Sequence, residues 1–170
     1  MRMKREKATI STKLTTPEME LCIVNPRSGA FPFNRYLVLP RTRWGIHGIN
    51  HECDLVALSK TGTLHEIEIK ISKSDLLADK RKNHHHQSRI IKRLWYAVPE
   101  EMKDFALLHI PEKAGLITCS RGCSRIIRRG YAGKAEKPNP DVVLHMYELL
   151  QMRYWSEKIR EHNRIQKRKK

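Results

Sequence analysis

The sequence predicts a mixed α/β domain, with a central sheet flanked by helices and a helical tail at the C-terminus. Its 170 residues are enough for one domain with a hydrophobic core. Short apolar runs alternate with capped, periodic segments in the order α, β, β, β, α, α, β, α, β, β, α. In two places, strand-like runs are separated by a short turn that contains glycine, which predicts hairpins.

The N-terminal part of the chain predicts an arm followed by a helix. Residues 1–14 are polar and basic without periodicity, so we expect a flexible basic arm, and no apolar stretch follows that would indicate a signal peptide. Thr16 is the expected N-cap of a helix over 17–24, which ends before Pro26. A loop follows over 25–34 because proline, glycine and polar residues dominate there.

The next segments predict three strands. A short strand at 36–39 leads into a basic, glycine-containing link at 40–48. The second and third strands, 53–59 and 63–71, are joined by a turn at Lys60-Thr61-Gly62.

The second half of the chain predicts helices, strands and a tail in alternation. A helix begins near Asp75 with Ser72 or Ser74 as its cap, and it leads into a basic, histidine-containing break. The further expected segments are a helix at 88–93, a strand at 94–98, a helix at 100–110, a hairpin of 115–119 with 123–128, a linker at 131–139 and a last helix with a basic tail at 140–170. The main domain is thus expected over residues 15–130.

Charge is the strongest compositional feature of the chain. Lys and Arg number 34 against 18 Asp and Glu, a formal net charge of +16. This excess predicts a polyanionic partner, DNA first, although a ribosome-associated basic protein has the same composition. No run of 18 apolar residues is present, so no membrane span is expected. Four scattered cysteines indicate a reduced, cytoplasmic setting.

One strand carries acids and a lysine at alternate positions. Glu66, Glu68 and Lys70 share one strand face, and the turn at 60–62 can bring Asp54 beside Glu68. Two carboxylates suit a hard divalent cation, to which the backbone carbonyl of Ile69 can add an oxygen. Lys70 can then orient an attacking water or a phosphate oxygen.

The alternative for this strand is an amphipathic surface with a solvated Glu/Glu/Lys face. The following helix favours a site, because Asp75 and Asp79 lie four residues apart and share a helix face. Lys80 and Lys82 follow and can reach phosphates.

In its order of motifs, the chain resembles the PD-(D/E)xK nuclease superfamily. Over about residues 50 to 120 it is similar to the MmcB-like DNA-repair nucleases, which have relatives in phages and mobile elements. The motifs that carry the resemblance are Asp54, then Glu68-Ile69-Lys70-Ile71-Ser72, Asp75, Asp79-Lys80, Trp95-Tyr96-Ala97-Val98-Pro99 and Ile110-Pro111-Glu112-Lys113-Ala114-Gly115-Leu116-Ile117.

The resemblance implies a restriction-endonuclease-like core of order αβββαβ and a nuclease dependent on Mg²⁺ or Mn²⁺. Asp54 and Glu68 would bind the metal, Lys70 would assist the water, and the cleaved DNA would keep a 5′-phosphate. An acid from the helix before the sheet, Glu20 or less favourably Glu18, is a further candidate ligand. The family proline before the first acid is replaced by Cys53.

Three further groups of residues have more than one interpretation. Glu52 lies two residues before Asp54 and can share the metal, while Glu66 is placed in a supporting role. Arg41, Arg43 and Trp44 can follow a nucleic-acid strand, or Trp44 can cover the core. His84-His85-His86 can contact phosphates, form a neutral surface or bind metal.

The cysteines and the last helix also leave alternatives open. Cys119 and Cys123 can form half of a zinc site, although free thiols are the simpler expectation. Trp155 can anchor the last helix to the body, or the apolar side of that helix can form a homodimer. For the whole chain, the alternatives to a DNA nuclease are a non-enzymatic basic nucleic-acid-binding module and an RNA-directed or ribosome-associated protein.

Overall fold

A computed structural model describes residues 13–42, 46–79 and 88–168. It confirms a mixed α/β fold. The elements are α1 (Thr16–Val24), β1 (Tyr36–Thr42), β2 (Cys53–Ser59), β3 (Leu64–Ile69), α2 (Lys73–Asp79), β4 (Ile91–Pro99), a 3-10 turn (Glu100–Met102), α3 (Lys103–His109), β5 (Gly115–Ser120), β6 (Cys123–Arg128) and α4 (Pro140–Arg168). None of the helices in these ranges combines the length and the apolar character that crossing a membrane requires.

The six strands form one sheet in which their spatial order equals their chain order. β1, β2 and β3 are antiparallel neighbours, β3, β4 and β5 run parallel, and β6 returns antiparallel to β5. Both predicted hairpins are therefore confirmed. In the β2–β3 turn Gly62 has φ +78°, a conformation that glycine adopts without steric cost.

Helices cover both faces of this sheet. On one face α1 packs Met19 and Ile23 against strand residues that include Ile67 and Ile117. On the other face α2 and α3 pack against β4 and β5, and the start of α4 covers β1 to β3. The polar residues at alternate positions of β3 therefore lie inside the protein, beneath a helical layer.

Two boundaries near the N-terminus differ from the sequence prediction. The N-cap of α1 is Thr15 and not Thr16, because both the backbone N–H and the hydroxyl of Thr15 donate to the Glu18 carboxylate at 2.7 Å. β1 continues through Pro40 to Thr42, where a link was expected. An edge strand tolerates proline, since one side of its backbone needs no partner.

The predicted helix at 88–93 is wrong. Ser88 forms an isolated bridge with Ile49, and β4 begins at Ile91, which pairs with Leu64 of β3. The Ser88 hydroxyl accepts hydrogen bonds from the N–H groups of Ile90 and Ile91 at 3.2 and 3.3 Å. Pairing with the central sheet thus overrides the weak helical pattern of a six-residue segment.

The third strand is shorter than predicted, since β3 ends at Ile69 rather than at Ile71. The backbone of Lys70 nevertheless donates to the carbonyl of Ala97 at 2.9 Å, which holds it beside β4. The predicted helix at 100–110 is a 3-10 turn followed by α3.

The last helix has a packed beginning and an exposed remainder. Asn139 caps α4 by accepting a hydrogen bond from the Asp141 N–H at 3.1 Å. Val142 and Met146 are buried in the core. Trp155 is 56% exposed, so the expected anchoring of the helix through this residue is wrong.

Candidate metal and phosphodiester site

The end of the β2–β3 hairpin brings Asp54 to Glu68. The last pair is Leu55 opposite Ile67, so Asp54 directly precedes and Glu68 directly follows the end of the paired segment. The Asp54 Oδ2 atom accepts a hydrogen bond from the Ile69 N–H at 2.8 Å. A side-chain oxygen thereby takes the position of a backbone acceptor, and this contact fixes the Asp54 carboxylate against β3.

The polar face of β3 is buried. Glu66 is 0% exposed, Glu68 2% and Lys70 3%. Ile67 and Ile69 point to the opposite face, where they join the core beneath α1. The predicted alternation is confirmed, whereas the interpretation as a solvated surface is wrong.

A chain of polar contacts links the acids to the lysine. Lys70 Nζ lies 2.8 Å from Glu68 Oε2 and 3.1 Å from Asp79 Oδ1. The Tyr96 hydroxyl donates to Asp79 Oδ2 at 2.7 Å. Asp79 at the end of α2 therefore contacts Lys70, the residue after β3, and Tyr96 of β4 contacts Asp79.

The charges at this site interact strongly because water is excluded. Burial lowers the pKa of Lys70, but the Glu68 and Asp79 carboxylates outweigh burial and hold that pKa above its usual range. Burial raises the pKa of Glu68, and Asp54 and Glu66 raise it further, against the opposing effect of Lys70. Lys70 is thus a fixed cation among buried carboxylates.

The other predicted acids occupy different positions. Burial raises the pKa of Glu20, and the charge of Asp54 raises that pKa further, against the opposing effect of Arg41. Glu20 also forms an ion pair with Arg41 at 3.7 Å. Helix α1 therefore does bring an acid towards the site. Glu52 is exposed. Asp75 accepts a hydrogen bond from the Ile71 N–H at 3.3 Å and so closes the start of α2.

Most of the predicted nucleic-acid contacts lie outside the described residues: Arg43, Trp44, Lys80, Lys82, His84, His85 and His86. Arg41 is described, and its side chain is 65% exposed. Its backbone has φ +47°, and its carbonyl accepts a hydrogen bond from Arg153 of α4 at 2.6 Å.

Two residues near the acids escaped the sequence interpretation. Tyr96 was expected in the core and is buried there, but it also lies opposite Glu68 in the parallel register. His51 contacts Glu66, with 2.8 Å between Nε2 and Oε1. Neither contact follows from local spacing, since both depend on which strand lies beside β3 and on the path of the loop before β2.

Two cavities lie near these elements. The larger, of about 890 Å³, is lined by residues of the 46–50 loop together with Ser88 and Arg89, and by none of the acids described above. The smaller, of about 430 Å³, is lined by Asp79 and Tyr96 and by the cations Lys92, Arg93 and Lys113. The smaller cavity is therefore a basic cleft that reaches two members of the hydrogen-bonded group, Asp79 and Tyr96.

Comparison with known proteins gives a likeness in fold. No protein-family model and no curated protein sequence matches the chain. Among solved structures, the chain is similar to a protein of unknown function from Silicibacter pomeroyi, with a TM-score of 0.63 and 15% sequence identity. The match covers 91% of this chain and 96% of that protein. At this identity the likeness concerns the fold alone.

Proposed function

We propose that the protein is a divalent-metal-dependent DNA nuclease with a restriction-endonuclease-like core. The observation that carries this proposal is the group formed by the half-buried Asp54 and the buried Glu68 and Lys70 at the end of the β2–β3 hairpin. The order of elements around this group also supports the proposal. The first six elements are α1, β1, β2, β3, α2 and β4, which is the αβββαβ order that the motif resemblance implies.

The residues fit a hard cation. Asp54 and Glu68 offer carboxylate oxygens, and the backbone carbonyl of Ile69, the residue after Glu68, can offer a third oxygen, the ligand set that Mg²⁺ and Mn²⁺ prefer. Burial is the main cause of the raised pKa of Glu68, and the carboxylates of Asp54 and Glu66, which crowd it, raise that pKa further. When bound, a divalent cation would relieve this crowding, neutralise phosphate charge and lower the pKa of a bound water.

The chain's own residues would then position the reacting groups. Lys70 is suited to stabilise negative charge on a phosphate oxygen, since its raised pKa keeps it protonated and unsuited to act as a base. Asp79 holds the Lys70 ammonium, and Tyr96 orients Asp79 through its hydroxyl. Asp79 and Tyr96 are therefore positioning residues in this proposal.

Substrate binding follows from the charge distribution. Lys92, Arg93 and Lys113 line the cleft that Asp79 and Tyr96 reach. Such a cleft suits phosphodiester backbones, and the net charge of +16 favours binding to DNA of any sequence. Repair, recombination or the processing of mobile-element or phage DNA are the settings that the motif resemblance suggests.

A cleavage assay tests the proposal. Purified protein is incubated with plasmid and linear DNA in Mg²⁺, Mn²⁺ or excess chelator. We expect cleavage with metal only, and a loss of about 100-fold or more in Asp54→Asn, because the amide still accepts from Ile69 but lacks the charge that holds a cation. Asp104→Asn is the matched control, since Asp104 is an exposed acid of α3 with no role in the proposed site and its variant should keep full activity.

Binding of the divalent metal can be measured separately from DNA cleavage, through the thermal stability of the protein. Mg²⁺ or Mn²⁺ should raise the Tm of the wild type and leave that of Glu68→Gln unchanged, because a ligand stabilises only the state that binds it. Without metal, Glu68→Gln should melt no lower than wild type, since its amide can still accept from Lys70 and the buried charge is removed. DNA binding that persists with no cleavage in either metal would favour the non-enzymatic binding module instead.

A further inference from the structure

A second cluster of potential metal ligands lies beside the acids of the proposed nuclease site. Within the described residues, His51, Cys53 and Glu66 form the one group of three His, Cys, Asp or Glu side chains whose ligand atoms all lie within 4.8 Å of one another. Three different segments supply them: the loop before β2, the first residue of β2 and the middle of β3.

The fold brings these residues together through an irregularity in β2. Cys53 packs with Leu39 and Val56 on the α4 side of the sheet, whereas Leu55 packs on the α1 side. Residues two apart normally share a face, so the alternation is broken at Asp54. Val56 lies opposite Glu66, and the break turns Cys53 towards the same face as that carboxylate.

All three side chains are buried. The His51 side chain is 2% exposed and that of Glu66 0%, while Cys53 is 0% exposed as a residue. A positive partner stabilises a buried carboxylate, and a divalent cation held between Glu66, His51 and Cys53 would be such a partner. The Leu39, Val56 and Leu64 side chains, which pack in the same cluster as Cys53, would shield the centre from bulk solvent.

We propose that His51, Cys53 and Glu66 form a structural metal centre for Zn²⁺ or a similar late first-row divalent ion, distinct from the Asp54–Glu68 site. One nitrogen, one sulfur and one oxygen ligand are the donor types that Zn²⁺ accepts together, whereas Mg²⁺ takes oxygen alone. Zinc bonds of about 2.0 to 2.3 Å place tetrahedral ligands roughly 3.3 to 3.8 Å apart, so the cluster needs only a small adjustment. The Cys53 proton passes to solvent as the sulfur binds, and the second Glu66 oxygen or a water completes the tetrahedron.

Such a centre would fix the start of β2 against β3. Cys53 precedes Asp54, so a metal that ties Cys53 and His51 to Glu66 would also restrict the position of the Asp54 carboxylate. This inference does not depend on nuclease activity, because it concerns the folded chain alone.

Metal titration of the full chain tests the proposal. Chelator-treated protein is titrated with Co²⁺, whose bond to a thiolate absorbs in the near ultraviolet, and Zn²⁺ is then added to displace it. We expect one equivalent of Co²⁺ with thiolate absorption, displaced by Zn²⁺ and unaffected by excess Mg²⁺. Cys53→Ser should lose this absorption and bind Zn²⁺ more than about 100-fold more weakly, since changes even to outer-shell partners cost about 10 to 100-fold. Cys119→Ser, at another buried cysteine, should behave as wild type.

A second measurement keeps the test decisive if Cys53→Ser does not fold. X-ray absorption at the zinc edge of the wild-type protein should show a single sulfur neighbour at about 2.3 Å with nitrogen and oxygen neighbours. No sulfur, or two or more sulfurs, would overturn the assignment. Thiolate absorption that survives in folded Cys53→Ser, or unchanged Zn²⁺ affinity in both His51→Asn and Glu66→Gln, would overturn it as well.

Discussion

His65 shows how one buried side chain acquires a defined protonation state. It lies among Phe31, Tyr36 and Trp95, and its Nδ1 accepts a hydrogen bond from the Trp95 indole N–H at 3.2 Å. An acceptor nitrogen carries no proton, so the ring is neutral. Burial first, and then the charge of Arg93, lowers the pKa of His65 to about 4.

This lowered pKa predicts a pH-dependent stability. The unfolded chain binds a proton at His65 below about pH 6.5 and the folded chain only near pH 4, so stability should fall as pH decreases across that interval. We expect His65 to account for roughly 2 to 3 kcal/mol of this loss. Urea unfolding at several pH values checks it: His65→Asn keeps an acceptor for Trp95 without titrating, so its stability should depend less on pH than that of wild type.

The control for this prediction is His162→Asn on the exposed part of α4, which should leave the pH dependence unchanged. Equal slopes for wild type and His65→Asn between pH 4 and 6.5 would contradict the assigned tautomer. The comparison between variants also separates His65 from Glu68, whose raised pKa acts in the opposite direction.

At the scale of elements, the sheet depends on a close approach between β4 and β5. Trp95 lies directly opposite Gly115, and a Cβ atom at Gly115 would come within 2.2 Å of the Trp95 ring carbon Cε3. The missing side chain is therefore what allows the large indole to approach the backbone of the neighbouring strand closely.

We expect Gly115→Ala to destabilise the fold by about 3 kcal/mol, because the Trp95 ring must leave its position in a packed core. Gly122→Ala is the matched control: Gly122 has φ +82° but no atom within 4 Å of the added Cβ, so only backbone strain of about 1 kcal/mol should appear. Urea midpoints measure both. Similar losses for the two variants would show that the indole can move at little cost.

The elements also show how far the sequence determines the structure. The strand at 53–59 and the hairpin of 115–119 with 123–128 were predictable, since apolar runs and glycine turns are local signals. Residue alternation also predicted that Glu68 and Lys70 share one face, whereas the burial of that face comes from the helices packed over it. The helix predicted at 88–93 failed, because parallel pairing with β3 is a long-range interaction that a short segment does not encode. The contacts of His51 and Tyr96 depend on the same kind of long-range register.

At the scale of the whole molecule, α4 extends basic surface away from the core. Beyond Met146 its side chains are largely exposed, and they include the large residues Met152, Tyr154, Trp155 and Ile159. The homodimer through this helix stays a prediction. Sedimentation of the full chain would measure the oligomeric state directly. The basic residues of α4 also make this helix suited to contact a nucleic acid.

Deleting residues 156–170 removes seven Lys or Arg and two Glu. We expect Tm to change little, because the described residues of this segment are exposed, while DNA binding should weaken and depend less steeply on salt. Fluorescence anisotropy across a salt series, with a melting curve for each protein, measures both effects. The triple variant Lys158→Gln, Arg160→Gln and Arg164→Gln should reproduce part of the change with the helix retained. A large fall in Tm, or an unchanged salt slope, would contradict this role.

The hydrogen bond from the Ile69 N–H to Asp54 also supplies a spectroscopic reporter. An amide proton shared with a carboxylate resonates at a frequency set by the charge on that carboxylate. Any cation that binds Asp54 withdraws electron density from the same oxygens, so the Ile69 signal in a ¹⁵N–¹H spectrum should move with occupancy. Site filling can therefore be followed in solution, one backbone amide at a time, without DNA and without turnover.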